Sequence, residues 1–413
     1  MMKKIEDLKN TVGEKLETSP IPSPIKATPI PSLIRAALIL LILVHPALGD
    51  APDLEWEKAF GGAGDERGLA LLETKDSGLA VAGTTSSKGA GDGDLWLIKT
   101  DSEGETEWDK TLGGAAGDEG WAILETADGG YLVAGVTESE GAGGKDLMLI
   151  KTDPDGDEKW KKTFGGTGDD WGVTVLETKD GGYVAVGITN SRGSGGSDGW
   201  ILKTDSDGNE EWDVAIGGSK NDGITSILET TDGYLLVGTT ESYGAGGEDV
   251  WLVKTDADGE RVWEKTFGKD GDERGNYVLE TDGGYVIVGV TESEGSGKRD
   301  LWLIKTDSEG EKVWGKTFGG TGDDGGWSAL EDDGGFILSG YTESQGRGNQ
   351  DLWLLKVDVD GEKVWEKTFG GTGFDLGKSI VSTKGGGWAV TGWTRSIGSG
   401  GEDLWLLKTE KEE

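Results

Sequence analysis

The chain contains no cysteine and a single histidine, His45. Lack of cysteine removes disulfide cross-links and thiolate chemistry, and it leaves the compartment unreadable from cysteine usage. Long apolar runs are scarce too. The conspicuous one, Ala36 to Val44 within "RAALILLILVHPALGD", is shorter than a comfortable bilayer span. Lys3, Lys4, Lys9, Lys15, Lys26 and Arg35 precede it, and the small residues Ala47 and Gly49 follow, the pattern of a secretory signal cleaved after Gly49. Pro20, Pro22, Pro24, Pro29 and Pro31 mark the stretch before it as a disordered, proline-rich n-region. Residues 1–49 are therefore read as a targeting segment, with no stable membrane span left after cleavage. His45 goes with it. A mature chain with neither His nor Cys cannot build a Ser-His-Asp or Cys-His nucleophile, or a zinc site ligated by those residues. Positive charge is the last scarcity. Lys and Arg number 40 against 78 Asp and Glu, a net charge of −38. Loss of the leader's six basic and four acidic residues takes this to −40. Nucleic acid and anionic membrane surfaces are thereby excluded as partners, leaving cations, basic proteins and neutral glycans.

What is abundant is repetition. Trp56, Trp108, Trp160, Trp212, Trp263, Trp314 and Trp365 recur at spacings of 52, 52, 52, 51, 51 and 51 residues, the period of a repeat architecture. Each unit carries four strand-length apolar runs, as in "WAILET", "YLVAGVT", "DLMLIKTD" and "EKWKKTF". Asp-Gly turns such as "ADGG" and "DPDG" and glycine loops such as "SEGAGGKD" separate them. Seven units of four antiparallel strands without helices predict an all-β, seven-bladed β-propeller over residues 50–413. The repeat region begins with "LEWEKAF" at Leu54 to Phe60 and ends with "DLWLLKTE" at Asp403 to Glu410. The first strand is thus expected to complete the last blade and abolish free edges. The 18 Trp are expected to be mostly core.

The repeat pattern over residues 54–410, "WxKTFGGTGDD", "DGGY" and "DLWLIKTDxxGxxxW", resembles that of secreted bacterial and archaeal β-propeller repeat proteins, most without an assigned activity. The hairpin "LIKTDSEGEKVW" at Leu303 to Trp314 is also similar to the strand-turn-Trp element of pyrroloquinoline quinone enzymes. Those have eight repeats and vicinal cysteines, neither present in this chain, so that resemblance implies topology and no redox function.

Strand alternation places the crossover loops ("FGGTGDDWG") and the second-to-third-strand loops ("SRGSGGSDG") on one face, the top. Ten residues after each repeat Trp stands an acid: Glu66, Asp118, Asp170, Asp222, Glu273, Asp324 and Asp375. Two readings stay open: loop acids fastening blade to blade through backbone amides, or, for Asp118, Asp170, Asp222, Asp324 and Asp375, oxygen ligands for calcium. No other cofactor is expected. "GGTGDD" is excluded as a phosphate loop because it precedes a strand and ends in two negative charges. The position eleven residues after each Trp varies, and with its neighbours it supplies the candidate ligand residues Arg67, Trp171, Arg274, Asn276 and Phe374 at the channel mouth. An aromatic with arginines suits a carbohydrate or acidic sugar. A ring of glutamates, including Glu73, Glu125 and Glu229, ends the inner strands and is expected to pair across blades with Lys99, Lys151 and their counterparts. The expected function is a secreted or surface binding module, monomeric, with a glycan or protein ligand. The alternatives are a carbohydrate-active hydrolase or lyase using paired top-face carboxylates, and a calcium-stabilised surface protein.

Overall fold

The computed structural model describes residues 51–412, so the targeting segment assigned to 1–49 lies outside the described residues. Strands are numbered β1 (Leu54–Phe60) to β28 (Asp403–Thr409) in chain order. They form seven four-stranded antiparallel sheets arranged as a ring, a seven-bladed propeller as expected. Blade 1 comprises β2 (Glu66–Glu73), β3 (Leu79–Thr85), β4 (Asp94–Thr100) and β5 (Thr106–Leu112), from the central channel outward. Blade 7 comprises β26 (Asp375–Ser382), β27 (Trp388–Thr394), β28 and, as its outer strand, β1. The N-terminal strand therefore closes the ring. No described helix is long and apolar enough to cross a membrane.

The core lies between blades, in seven clusters, one at each junction. At the junction of blades 3 and 4, for example, Val184, Val186 and Ile201 meet Ile224, Leu236 and Trp251. Both faces of each sheet are covered, which is why the third strands ("DLWLIKT") carry apolar residues on both faces and are buried at every position in blade 1. Each such Leu, Ile or Trp contributes roughly 1.5–3 kcal/mol by leaving water. The repeat Trp is explained by the turn of the next blade. Gly208, at φ +74°, lies against the face of Trp160, where a Cβ would come within 2.7 Å of the indole. The Asp-Gly hairpin is thus required both by its left-handed backbone and by the ring beneath it.

One irregularity recurs in all seven blades. In every inner strand the register slips by one residue at the thirteenth position after the repeat Trp: Leu69, Trp121, Val173, Thr225, Asn276, Trp327 and Lys378. Each is the extra residue of a β-bulge. The bulge pushes the backbone of the inner strand towards the second strand, where glycine is obligatory. A Cβ at Gly187 would strike the Trp171 carbonyl, and the other six blades repeat the collision. The bulged side chains point into the central channel.

Candidate functional site

The top-face acids are spent within the fold. Asp170 is fully buried and accepts from the Gly166 amide (2.8 Å), the Ser191 hydroxyl (2.6 Å) and the Thr189 hydroxyl. Asp222, Asp324 and Asp375 repeat this set with their own Gly, Thr and Ser. Asp118 accepts from Gly114 and Ser139 on one oxygen and leaves Oδ1 buried without a partner. The blade-to-blade link comes from the backbone of the same residue: the Asp170 amide donates to the Lys145 carbonyl of blade 2 (2.7 Å), and all seven blades share this bond. The five acids considered for calcium sit one to a blade. No described group of three or more acidic side chains converges on a metal-sized site.

A second acid ring, Asp94, Asp146, Asp198, Asp249, Asp300, Asp351 and Asp403, accepts the amides of its own glycine loop, as Asp146 does from Ala142 and Asp249 from Ala245 (2.9 Å). Across six crossover glycines, Gly61, Gly165, Gly217, Gly268, Gly319 and Gly370, it approaches the first ring. At Gly268 a Cβ would touch both Asp249 and Glu273. Burial, with Glu273 adding to it, pushes the Asp249 carboxyl up to about 6 despite the Ala245 amide; Asp300 and Asp403 are raised for the same reasons.

Of the five mouth residues, the structure brings two together. Arg67 lies over Trp393 (5.3 Å to the ring centre) and pairs with the buried Glu402. Arg395 binds the same Glu402 (2.8 Å) and lies over Phe374 (5.6 Å). Trp393, Arg67, Glu402, Arg395 and Phe374 thus form one continuous aromatic and charged patch across blades 7 and 1. Trp393 and Arg395 escaped the sequence reading because they belong to the second strand and its loop, away from the position counted from the repeat Trp. The other three do not join this patch. Trp171 in blade 3 has Lys145 at 6.0 Å, and Arg274 in blade 5 pairs with Glu248. Asn276 is a bulge residue facing the channel, where its amide donates to the Gly326 carbonyl (2.7 Å).

The channel encloses about 350 Å³ lined by the bulge residues and their neighbours, among them Leu71, Ile123, Val175 and Tyr277. Lys378 is the one cation among them. Its ammonium sits 3.3 Å from the Trp327 ring centre and 5.6 Å from that of Trp121, whose indole nitrogen is fixed by Glu119 (3.0 Å). A cleft of about 410 Å³ opens at the rim of blades 6 and 7, where Trp405 donates to Glu57 and Asp351 accepts two loop amides.

On the bottom face the glutamate ring has other partners than expected. Lys99 pairs within its own blade with Asp76 and Glu107, and Lys151 with Asp128. Glu125 instead meets Lys75, and Glu229 meets Lys179, turn lysines of the preceding blade (both 3.5 Å). The short turn after the inner strand carries these lysines sideways, whereas the third-strand lysines are held by the adjacent carbonyl and turn acid.

No protein-family model matches the chain. Regulatory protein FlaEY of Caulobacter vibrioides is 26% identical over 254 residues, 54% of this chain, and the chain covers 26% of that protein's length. Among solved structures, the Pan2 WD40 domain of Neurospora crassa superposes with a TM-score of 0.51 at 9% identity, covering 86% of this chain and 98% of that one. A protein of unknown function from Dyadobacter fermentans gives 0.50 at 13% identity, covering 87% and 99%. Drosophila Plexin A in complex with Semaphorin 1b gives 0.51 at 7% identity, covering 87% and 88%. At these identities the likeness is one of fold, a closed ring of four-stranded blades.

Proposed function

We propose that the chain is a secreted or cell-surface binding module that takes a glycan on its top face, at the patch formed by Trp393, Arg67, Arg395 and Phe374. One observation carries this reading. The first-ring acids repeated in every blade accept hydrogen bonds of the fold, and the one oxygen left over, Asp118 Oδ1, is buried, so the groups left to meet a ligand are the non-repeating aromatic and cationic side chains gathered at blades 7 and 1. Aromatic faces stack on sugar rings, and paired guanidinium groups recognise a sugar hydroxyl or carboxylate. A binding role is in keeping with the Plexin A and Semaphorin 1b complex among the similar structures.

A glycan array probed with the full chain tests the reading. Trp393→Ala combined with Phe374→Ala is expected to weaken any positive signal by about tenfold or more. Trp171→Ala with Arg274→Ala, outside the patch, is expected to leave it unchanged. An array without signal, or a signal lost only in the second pair, refutes the proposal.

A further inference from the structure

The buried lysines of the blades are all paired, whereas Lys378, half-buried on the channel wall, is not. Lys99, Lys151, Lys203, Lys254 and Lys356 each hold a turn carboxylate, and the first four also donate to the carbonyl of the following residue. These are lysines used to close a hairpin. Lys378 is different. Among the described residues it has no ion pair and no hydrogen bond, and its ammonium lies over the indole faces of Trp327 and Trp121. A chain with 78 carboxylates does not lack counter-charges, yet none lines the channel. Among the other polar groups of the wall, Thr225 donates to the Gly275 carbonyl (2.7 Å) and Thr174 to that of Thr225 (2.8 Å), whereas the Trp327 indole nitrogen is buried without a partner.

We infer that the central channel is a second site, separate from the top-face patch, which takes a small cyclic monocarboxylate, its ring against Trp121 or Trp327 and its carboxylate on Lys378. The cation sets the charge of the ligand. A single negative group completes the pair, whereas a second would be buried unpaired in apolar surroundings. The indoles set its shape, since a flat or ring-shaped body meets an aromatic face over the largest area. The volume, about 350 Å³, sets its size at that of a small molecule. Burial pushes the Lys378 ammonium down to about 7. Tyr277, itself raised by burial, is the other titratable side chain lining the cavity, and Glu119 faces it only through Trp121. A bound carboxylate would restore the lysine's charge.

Two sources share this chemistry, aromatic acids and sugar acids, and titration calorimetry of the full chain with benzoate and with glucuronate separates them. At least one is expected to bind at millimolar concentration or below. Its neutral counterpart, benzamide or methyl glucoside, should bind about tenfold more weakly, and Lys378→Met should lose a similar factor. Benzoate alone would assign an aromatic acid, glucuronate alone a sugar acid. A Lys378→Met protein that melts at or above the wild-type midpoint is folded, and its loss of binding then reports on the site. Trp171→Ala, outside the channel, should bind as wild type. No binding of either acid, or equal binding by wild type and Lys378→Met, overturns the inference.

Discussion

Lys378 illustrates how one side chain can oppose the fold that holds it. Its ammonium gains from the Trp327 face but has no anion, so desolvation holds its pKa far below the ordinary lysine value. Because the folded state releases the proton more readily than the unfolded chain, the cost of this lysine is fully present below about pH 7. It fades as pH rises from there towards 10.5, the value for an exposed lysine. Lys378→Met is therefore expected to melt higher than wild type at pH 6, by several degrees. The gap should narrow steadily up to pH 10, and a gap constant with pH in calorimetric scans would contradict the account. In the sequence the eleventh position after the repeat Trp, where Arg67, Trp171 and Arg274 vary, stands out, and of the equally varied thirteenth only Asn276 was singled out. The β-bulge decides which of the two faces the channel, and a bulge present in every copy leaves no mark on the repeat period. Its trace was the paired glycines, Gly172 opposite Gly187 and their equivalents in every blade but the fourth, where Ile224 faces Gly238, and their joint meaning is steric.

At the scale of strands and loops the sequence was far more legible. Alternating apolar runs and Asp-Gly turns identify four strands per unit, because the turns demand left-handed glycines such as Gly156 and Gly208 and the strands demand cover on both faces. Which loops share a face followed from antiparallel order alone, and the isolated bridge between Gly93 and Gly117 joins two of them. Side-chain partners were less legible, as the bottom-face lysines show: a four-carbon stem reaches several acids, and only the turn geometry selects among them. The blade junction makes its own prediction. Asp249 and Glu273 face one another across Gly268, and the folded state holds the Asp249 proton up to about pH 6 against an ordinary 3.8. Ionised Asp249 thus weakens the junction above pH 6, and the penalty disappears as pH falls towards 3.8. Asp249→Asn keeps an acceptor for the Ala245 amide. It is expected to raise the melting midpoint by a few degrees at pH 7 and to have no effect at pH 4; a lower midpoint at pH 7 would show the ionised pair to be stabilising.

For the molecule as a whole, the closing strand matters most. β1 pairs with β28 from Leu54 to Phe60, packs Trp56 and Phe60 on the junction of blades 7 and 1, and is held at its start by Lys367 on Asp53 (2.7 Å). Without it β28, which is apolar along most of its length, would be a bare edge. Deleting residues 51–60 is expected to cost on the order of 5 kcal/mol from the loss of Leu54, Trp56 and Phe60 burial. The truncated ring should associate in gel filtration, and a peptide of residues 51–60 added in trans should restore a monomer; a truncated chain that stays monomeric with an unchanged melting midpoint would refute this. The same arrangement imposes a schedule. On a ribosome, or through an export pore that passes the N-terminus first, the earliest strand to emerge is the one whose hydrogen-bonding partner is made last. Blades 1 to 6 can assemble as they appear, but Leu54–Phe60 must stay unclaimed until Asp403–Thr409 arrives, so ring closure waits for the last strand of the last blade and a premature stop anywhere upstream of it leaves both ends of the ring open.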